Sequence, residues 1–170
     1  MSGEHDALPP DGVLRTALTV PDAWLDGAGY LREAFCLKAF DDAGDALTQL
    51  AGMGEAYTRR THNSWVALES HLAFLTPAQR GDRLRIESCV LDLDAKKIHV
   101  FQAMYREAEL LATHEQLGLH FNTASRRGCP FEPAVHAALE ALCAARAVRP
   151  RPVQAGRHVT LTRTAAEVSS

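Results

Sequence analysis

The order in which two periodicities follow one another restricts this chain most. From about Leu31 to Ala51 apolar residues recur at Cys36, Ala39/Phe40, Ala43, Ala46/Leu47 and Leu50, the spacing of one face of a single long helix, and Gly52 and Gly54 end it. After a polar connector through Asn63 come four runs of strand composition: Ser64 to Leu75, Arg83 to Asp94, Lys97 to Arg106 and Leu110 to Asn122. The segments between them, Pro77 to Asp82, Asp94 to Lys96 and Glu107 to Glu109, are shorter than the crossover of about a dozen residues that a parallel pair needs. The four runs are therefore expected to form an antiparallel meander.

A further strand, Val13 to Val20, precedes the helix and is closed by Pro21, while Pro133 to Ala147 reads as a second helix with proline in its first turn. Between the first strand and the long helix, Asp26-Gly27-Ala28-Gly29 reads as a turn. The compact arrangement of these parts is α+β, a five-stranded antiparallel sheet wrapped around the long central helix, with a C-terminal helix. An open sheet edge remains, so a homodimer or a dimer of dimers is expected. Residues 1–12 read as a flexible lead, 13–147 as the domain and 148–170 as a flexible tail, in which His158 to Arg163 alternates well enough to add a strand in an oligomer.

Composition narrows the class. At 170 residues, 46% hydrophobic and 23% charged, the chain is long and apolar enough for one domain with a real core. A net charge of −3 argues against a nucleic-acid partner. Cys36, Cys89, Cys129 and Cys143 are too scattered for a CxxC metal pair or a dense disulfide scaffold, so free thiols are expected. The acidic start lacks the basic and apolar regions of a signal peptide, and no run approaches the roughly 18 apolar residues of a membrane span; a cytoplasmic protein without a membrane partner is expected.

Several phrases in this order resemble the hotdog-fold acyl-CoA thioesterases, and within them the betainyl-CoA (carnitine breakdown) group: PDAWLDGAGYL at Pro21 to Leu31, FDDAGDAL at Phe40 to Leu47, ALESHLAFL at Ala67 to Leu75, RGDRL at Arg80 to Leu84, KKIHVFQAMYR at Lys96 to Arg106 and LLATHEQLGLHFNT at Leu110 to Thr123. The resemblance implies a hotdog protomer, hydrolysis of a small acyl-CoA and no cofactor beyond the CoA carried by the substrate. It departs at one place. Where the family turn reads Trp-Ile-Asp-Tyr-Asn-Gly-His-Met, residues 24–31 read Trp-Leu-Asp-Gly-Ala-Gly-Tyr-Leu, so Ala28 replaces an asparagine at a catalytic position and Tyr30 replaces a histidine. One alternative follows from that departure, a non-catalytic acyl-CoA or ligand-binding protein; a hotdog dehydratase, which would require a His–acid pair across the dimer, is a further one.

Thioester hydrolysis needs a base for water and donors for the carbonyl oxygen. Helix N-terminal amides around Gly29, Tyr30, Leu31 and Arg32 are the expected donors. The candidate bases are Glu69, Asp26 and Glu33. Asp26 also suits a purely structural turn role, and Glu33 is favoured by the helix dipole whatever its function. Glu69 is preferred, because strict alternation over Ser64 to Leu75 sets Trp65, Ala67, Glu69, His71 and Ala73 on one face. Arg59, Arg126 and Arg127 are candidate clamps for the CoA phosphates. Trp24, Tyr30 and Trp65 are candidates for an acyl pocket that accepts a trimethylammonium, and Gln116 could border the substrate. His99, His114 and His120 lack metal-ligand spacing and are read as structural.

Overall fold

A computed structural model of the chain describes residues 7–159. Strand β1 (Val13–Thr19) leads through a 3-10 turn (Asp22–Trp24) to helix α1 (Glu33–Leu50), a short helix α2 (Glu55–Thr61), strands β2 (Asn63–Phe74), β3 (Arg83–Leu93), β4 (Lys97–Arg106), β5 (Glu109–Asn122) and β6 (Arg127–Gly128), and helix α3 (Pro133–Ala147). The five long strands form one antiparallel sheet curled around α1, the hotdog arrangement expected from the sequence, and the two-residue β6 pairs with β5.

The strand order is β1-β3-β4-β5-β2, which corrects the expected four-strand meander. Only β3, β4 and β5 follow one another as hairpins. Strand β2 pairs along the far side of β5, and the Leu75–Asp82 connection runs back to β3 rather than turning a hairpin. The reason lies in α1. β1 and β3 flank one side of the helix and β2 closes the other, so the segment joining β2 to β3 must pass the helix N-terminus.

Residues read as a polar connector before β2 contain α2 instead, because Tyr57 inserts its ring into the core at 5% exposure and winds the flanking residues around it. The N-terminus of α1 also lies later than the periodicity suggests. Arg32 is extended (φ −69°, ψ 145°), and the Leu31 N–H is bound to the Ala78 carbonyl at 2.8 Å, so neither joins the helix.

Helix α1 buries Cys36, Ala39, Phe40, Ala43, Gly44 and Leu47. Its small residues let the backbone approach the sheet. Its first half packs with Leu84, Ile86, Met104 and Leu111, and its second half packs with Val90, Ile98 and Val100 under α3, which contributes Leu139 and Leu142. On the opposite face of the sheet, Val13, Cys89, Phe101 and Ala103 form a smaller cluster that Ala155 of the C-terminal segment covers. That segment is anchored by Arg149 to Asp11 at 2.7 Å and by the Gly156 N–H to Glu115 at 2.7 Å. Residues 160–163 of the expected extra strand lie outside the described residues, and His158 and Val159 are in no strand.

Trp65 lies between Gly118 of β5 and Gly44 of α1. A Cβ on Gly118 would stand 2.3 Å from the indole Cε3, so Gly118→Ala must displace the ring. A loss of about 1–3 kcal/mol is expected from urea unfolding midpoints, the cost of forcing an extra methyl into a packed core.

Candidate active site

The turn before α1 is built from its backbone outward. Asp26 Oδ1 accepts the N–H groups of Ala28 at 2.9 Å and Tyr30 at 3.0 Å, and Gly29, at φ +88°, donates to the Asp26 carbonyl at 3.1 Å. Only glycine takes that left-handed angle without strain. The amides of Tyr30 and then Ala28 hold the exposed Asp26 carboxyl below the usual carboxylate range. Asp26 is thus ionised and already engaged with the loop it shapes.

The N–H groups of Gly29, Tyr30, Leu31 and Arg32 are all taken, by Asp26 carbonyl, Asp26 carboxylate, Ala78 carbonyl and Trp24 carbonyl respectively. The expectation that these amides polarise the substrate is therefore corrected. Phe35 and Cys36 donate to the Arg32 carbonyl, and Arg32 supplies no side-chain cap. The amides left for a ligand at the positive end of α1 are those of Glu33 and Ala34.

The first of these residues, Glu33, lines a pocket of about 240 Å³ together with Leu31, Cys36, Phe74, Met104 and Leu111 among others. It is an apolar slot with one carboxylate at its mouth. Burial first, and then the charge of Glu33, pushes the Cys36 thiol up to about 11. Cys36 is consequently a wall of the pocket and not a thiolate nucleophile.

Glu69 lies elsewhere. A β-bulge between Ala67 and Glu69 inserts Leu68 and reverses the alternation, so Trp65 points to α1 whereas Glu69 and His71 point to the opposite face of the sheet. The expected single face holding Trp65, Glu69 and His71 is thus split. Glu69, His71 and Gln116 line a second pocket, of about 370 Å³, together with His99, Glu115 and Arg157. There His99 Nε2 meets Glu115 Oε1 at 2.6 Å. Within one protomer Glu33 and Glu69 stand on opposite sides of the sheet.

Other expected site residues are dispersed. Trp24 stacks on Phe35 with centroids 5.3 Å apart, Lys38 lies over its ring at 5.7 Å, and Tyr30 is 43% exposed beside Gln79. Arg59 pairs with Glu55 on α2, while Arg126 and Arg127 follow β5. The arginines flank the Asn63/Asn122 end of the β2–β5 pair, roughly 35 Å of strand from the pocket at Phe74 and Leu111. Among the described residues no cluster of His, Cys, Asp or Glu has a metal-binding arrangement, and no helix is long and apolar enough to cross a membrane.

A buried polar chain beneath α1 was not singled out by sequence reasoning. The Gln102 side-chain amide donates to the Phe40 carbonyl at 2.8 Å and to Ser88 Oγ at 3.0 Å, which turns its oxygen to His114 Nδ1 at 2.8 Å; His114 Nε2 meets Ser70 Oγ at 2.6 Å. The only sequence signal was polar residues at inward positions of otherwise apolar strands. Burial lowers the His114 pKa to about 4. Since unfolded histidine titrates near 6.5, the unfolded chain binds the proton first: the stability held above pH 6.5 falls by about 1.4 kcal/mol per pH unit down to about pH 4, then levels off for this group. Unfolding midpoints across that range, compared with those of His114→Gln, check this expectation; an unchanged slope in the variant would refute it.

The thioesterase-like superfamily model matches residues 20–139. Betainyl-CoA thioesterase of Pseudomonas aeruginosa is 36% identical over 140 residues, covering 81% of this chain and 88% of the relative. Among solved structures, a Staphylococcus aureus protein in complex with CoA superposes with TM-score 0.84 at 18% identity, covering 88% of this chain and 96% of that one. A 1,4-dihydroxy-2-naphthoyl-CoA thioesterase from Synechocystis superposes with TM-score 0.68 at 18% identity, covering 75% and 95%.

Proposed function

This chain belongs to the thioesterase-like superfamily, and from that premise we propose that it hydrolyses a small acyl-CoA thioester in the pocket at the N-terminus of α1. The observation that carries the reading is that Glu33, the first residue of the central helix, lines an apolar slot at the end of that helix whose first amides are unpaired. The Ala34 amide and that of Glu33 polarise the thioester carbonyl, whose oxygen gains charge as water adds. Glu33 takes the proton from that water and returns it to the departing sulfur as the intermediate collapses, which releases the carboxylic acid and the CoA thiol. Leu31, Phe74, Met104 and Leu111 enclose the acyl group and exclude bulk solvent.

The replacement of the family asparagine by Ala28 is compatible with this scheme, because Glu33 occupies the pocket without help from the turn. The acyl group of the Pseudomonas aeruginosa relative makes betainyl-CoA the first substrate to test.

The working unit in this reading is a dimer formed along β2. That strand is one edge of the sheet, opposite β1, and exposes Val66 (40%), Leu68 (51%) and Phe74 (50%). A twelve-residue edge with such side chains calls for cover. Phe74 also lines the pocket, so a second copy along β2 would narrow its mouth.

Glu69, unpartnered among the described residues and carried on the same edge strand, supports a second reading in which it serves the pocket of another copy. Thiol release from a panel of short acyl-CoAs tests the function: turnover of at least one supports it, and folded protein inactive on all of them refutes it in favour of a binding protein.

A further inference from the structure

We infer that Ser70 is a nucleophile in its own right, activated by His114 and Gln102, and forms an acyl-serine with small activated esters or thioesters. This goes beyond the water-based reaction at Glu33 and uses a different place in the fold, the seam between α1 and the edge strand β2.

The inference rests on a proton inventory. Gln102 uses both of its amide donors on fixed acceptors, the Phe40 carbonyl and Ser88 Oγ, so its oxygen is the atom presented to His114. Nδ1 of His114 must therefore carry the hydrogen, donated to that oxygen at 2.8 Å. Nε2 is left as a bare acceptor, and the group 2.6 Å away is the Ser70 hydroxyl, whose O–H can only donate to it.

A hydroxyl on a neutral imidazole, with the ring held in one tautomer by a third side chain, is the arrangement that activates a serine. The two supporting groups are buried at 2% exposure each, and the His114 ring is further held against Phe40 with centroids 5.4 Å apart. Ser70 itself is exposed. Behind the exposed Ser70 thus stands a buried base that Gln102 and Phe40 hold in one orientation. Pairing of the β2 edge with a second copy would use backbone groups and leave the Ser70 side chain on the helix-facing side.

In the reaction, Ser70 Oγ bonds to the acyl carbon while its proton passes to His114 Nε2. The bond to the leaving sulfur or oxygen then breaks, and that atom takes the proton from Nε2. Water attacks the acyl-serine with His114 accepting its proton and returning it to Oγ, which releases the carboxylic acid.

A fluorophosphonate probe incubated with the full chain, followed by intact mass and peptide mapping, tests the inference without reference to thioester turnover. One adduct on Ser70 is expected, absent in Ser70→Ala and undiminished in Glu33→Gln, where the water-based site is disabled. His114→Asn, with its fold checked by circular dichroism, should slow labelling by about a hundredfold, the scale of a lost general base. No adduct on the parent protein, an adduct that persists in Ser70→Ala, or labelling at the parental rate in folded His114→Asn would each overturn the inference. Labelling of Ser70 in a protein that hydrolyses no acyl-CoA would sustain it while refuting the function proposed above.

Discussion

Replacing Glu33 with glutamine is expected to lower kcat for acyl-CoA hydrolysis by about 10²–10⁴-fold with little change in KM. Glutamine keeps the shape of the side chain and its place at the mouth of the pocket, so substrate binding should persist. It cannot accept a proton from water, so only the chemical step suffers. The fold should be nearly indifferent, since an exposed first-turn carboxylate contributes about 0.3–1 kcal/mol through the helix dipole. The matched control is Glu69→Gln, which alters the opposite face of the sheet and should retain turnover within a few-fold if Glu33 is the base. Steady-state thiol release on both variants decides between them. Activity surviving in Glu33→Gln and lost in Glu69→Gln would transfer the role to Glu69 and require the site to lie between copies.

Phe40→Ala should have the largest effect on stability, about 3–5 kcal/mol. The side chain is fully buried on α1, in contact with the cluster that contains Ile86, Met104 and Leu111. Its ring also holds His114, and its carbonyl receives the Gln102 amide. Removing the ring leaves a cavity that neighbours on four strands and a helix cannot all collapse into, and a domain of this size has only about 5–15 kcal/mol in total. Urea and thermal unfolding measure it. A loss below about 1 kcal/mol would mean that the first half of α1 is not packed against the sheet as described.

The long helix, the existence of five long strands and the terminal helix were legible in the chain because each depends on a local period, while the hotdog arrangement was legible through the resemblance of the quoted phrases to that family. Helix α2 escaped because a seven-residue helix with one buried side chain has no readable period. The place of β2 escaped because connection length separates parallel from antiparallel pairs but does not say which neighbour a strand chooses. Site residues divided along the same line. Asp26 and Glu33 could be placed at the helix entrance from sequence alone. Glu69 was set on the wrong side of Trp65 by a single inserted residue, Leu68, since one bulge reverses every inward and outward position beyond it.

What the chain by itself determined, then, is the long elements, through periodicities carried by neighbouring residues, and with them the α+β class of the fold. Tertiary structure alone decided which carboxylate shares a pocket with free helix amides, that the amides of residues 29–32 are already engaged, and that Ser70, His114 and Gln102, drawn from three strands, meet in one hydrogen-bonded line. The physical reason is that hydrogen-bond partners are assigned by distance in space: curling the sheet around α1 brings residues 44 and 12 positions apart within 3 Å, a proximity no local pattern encodes.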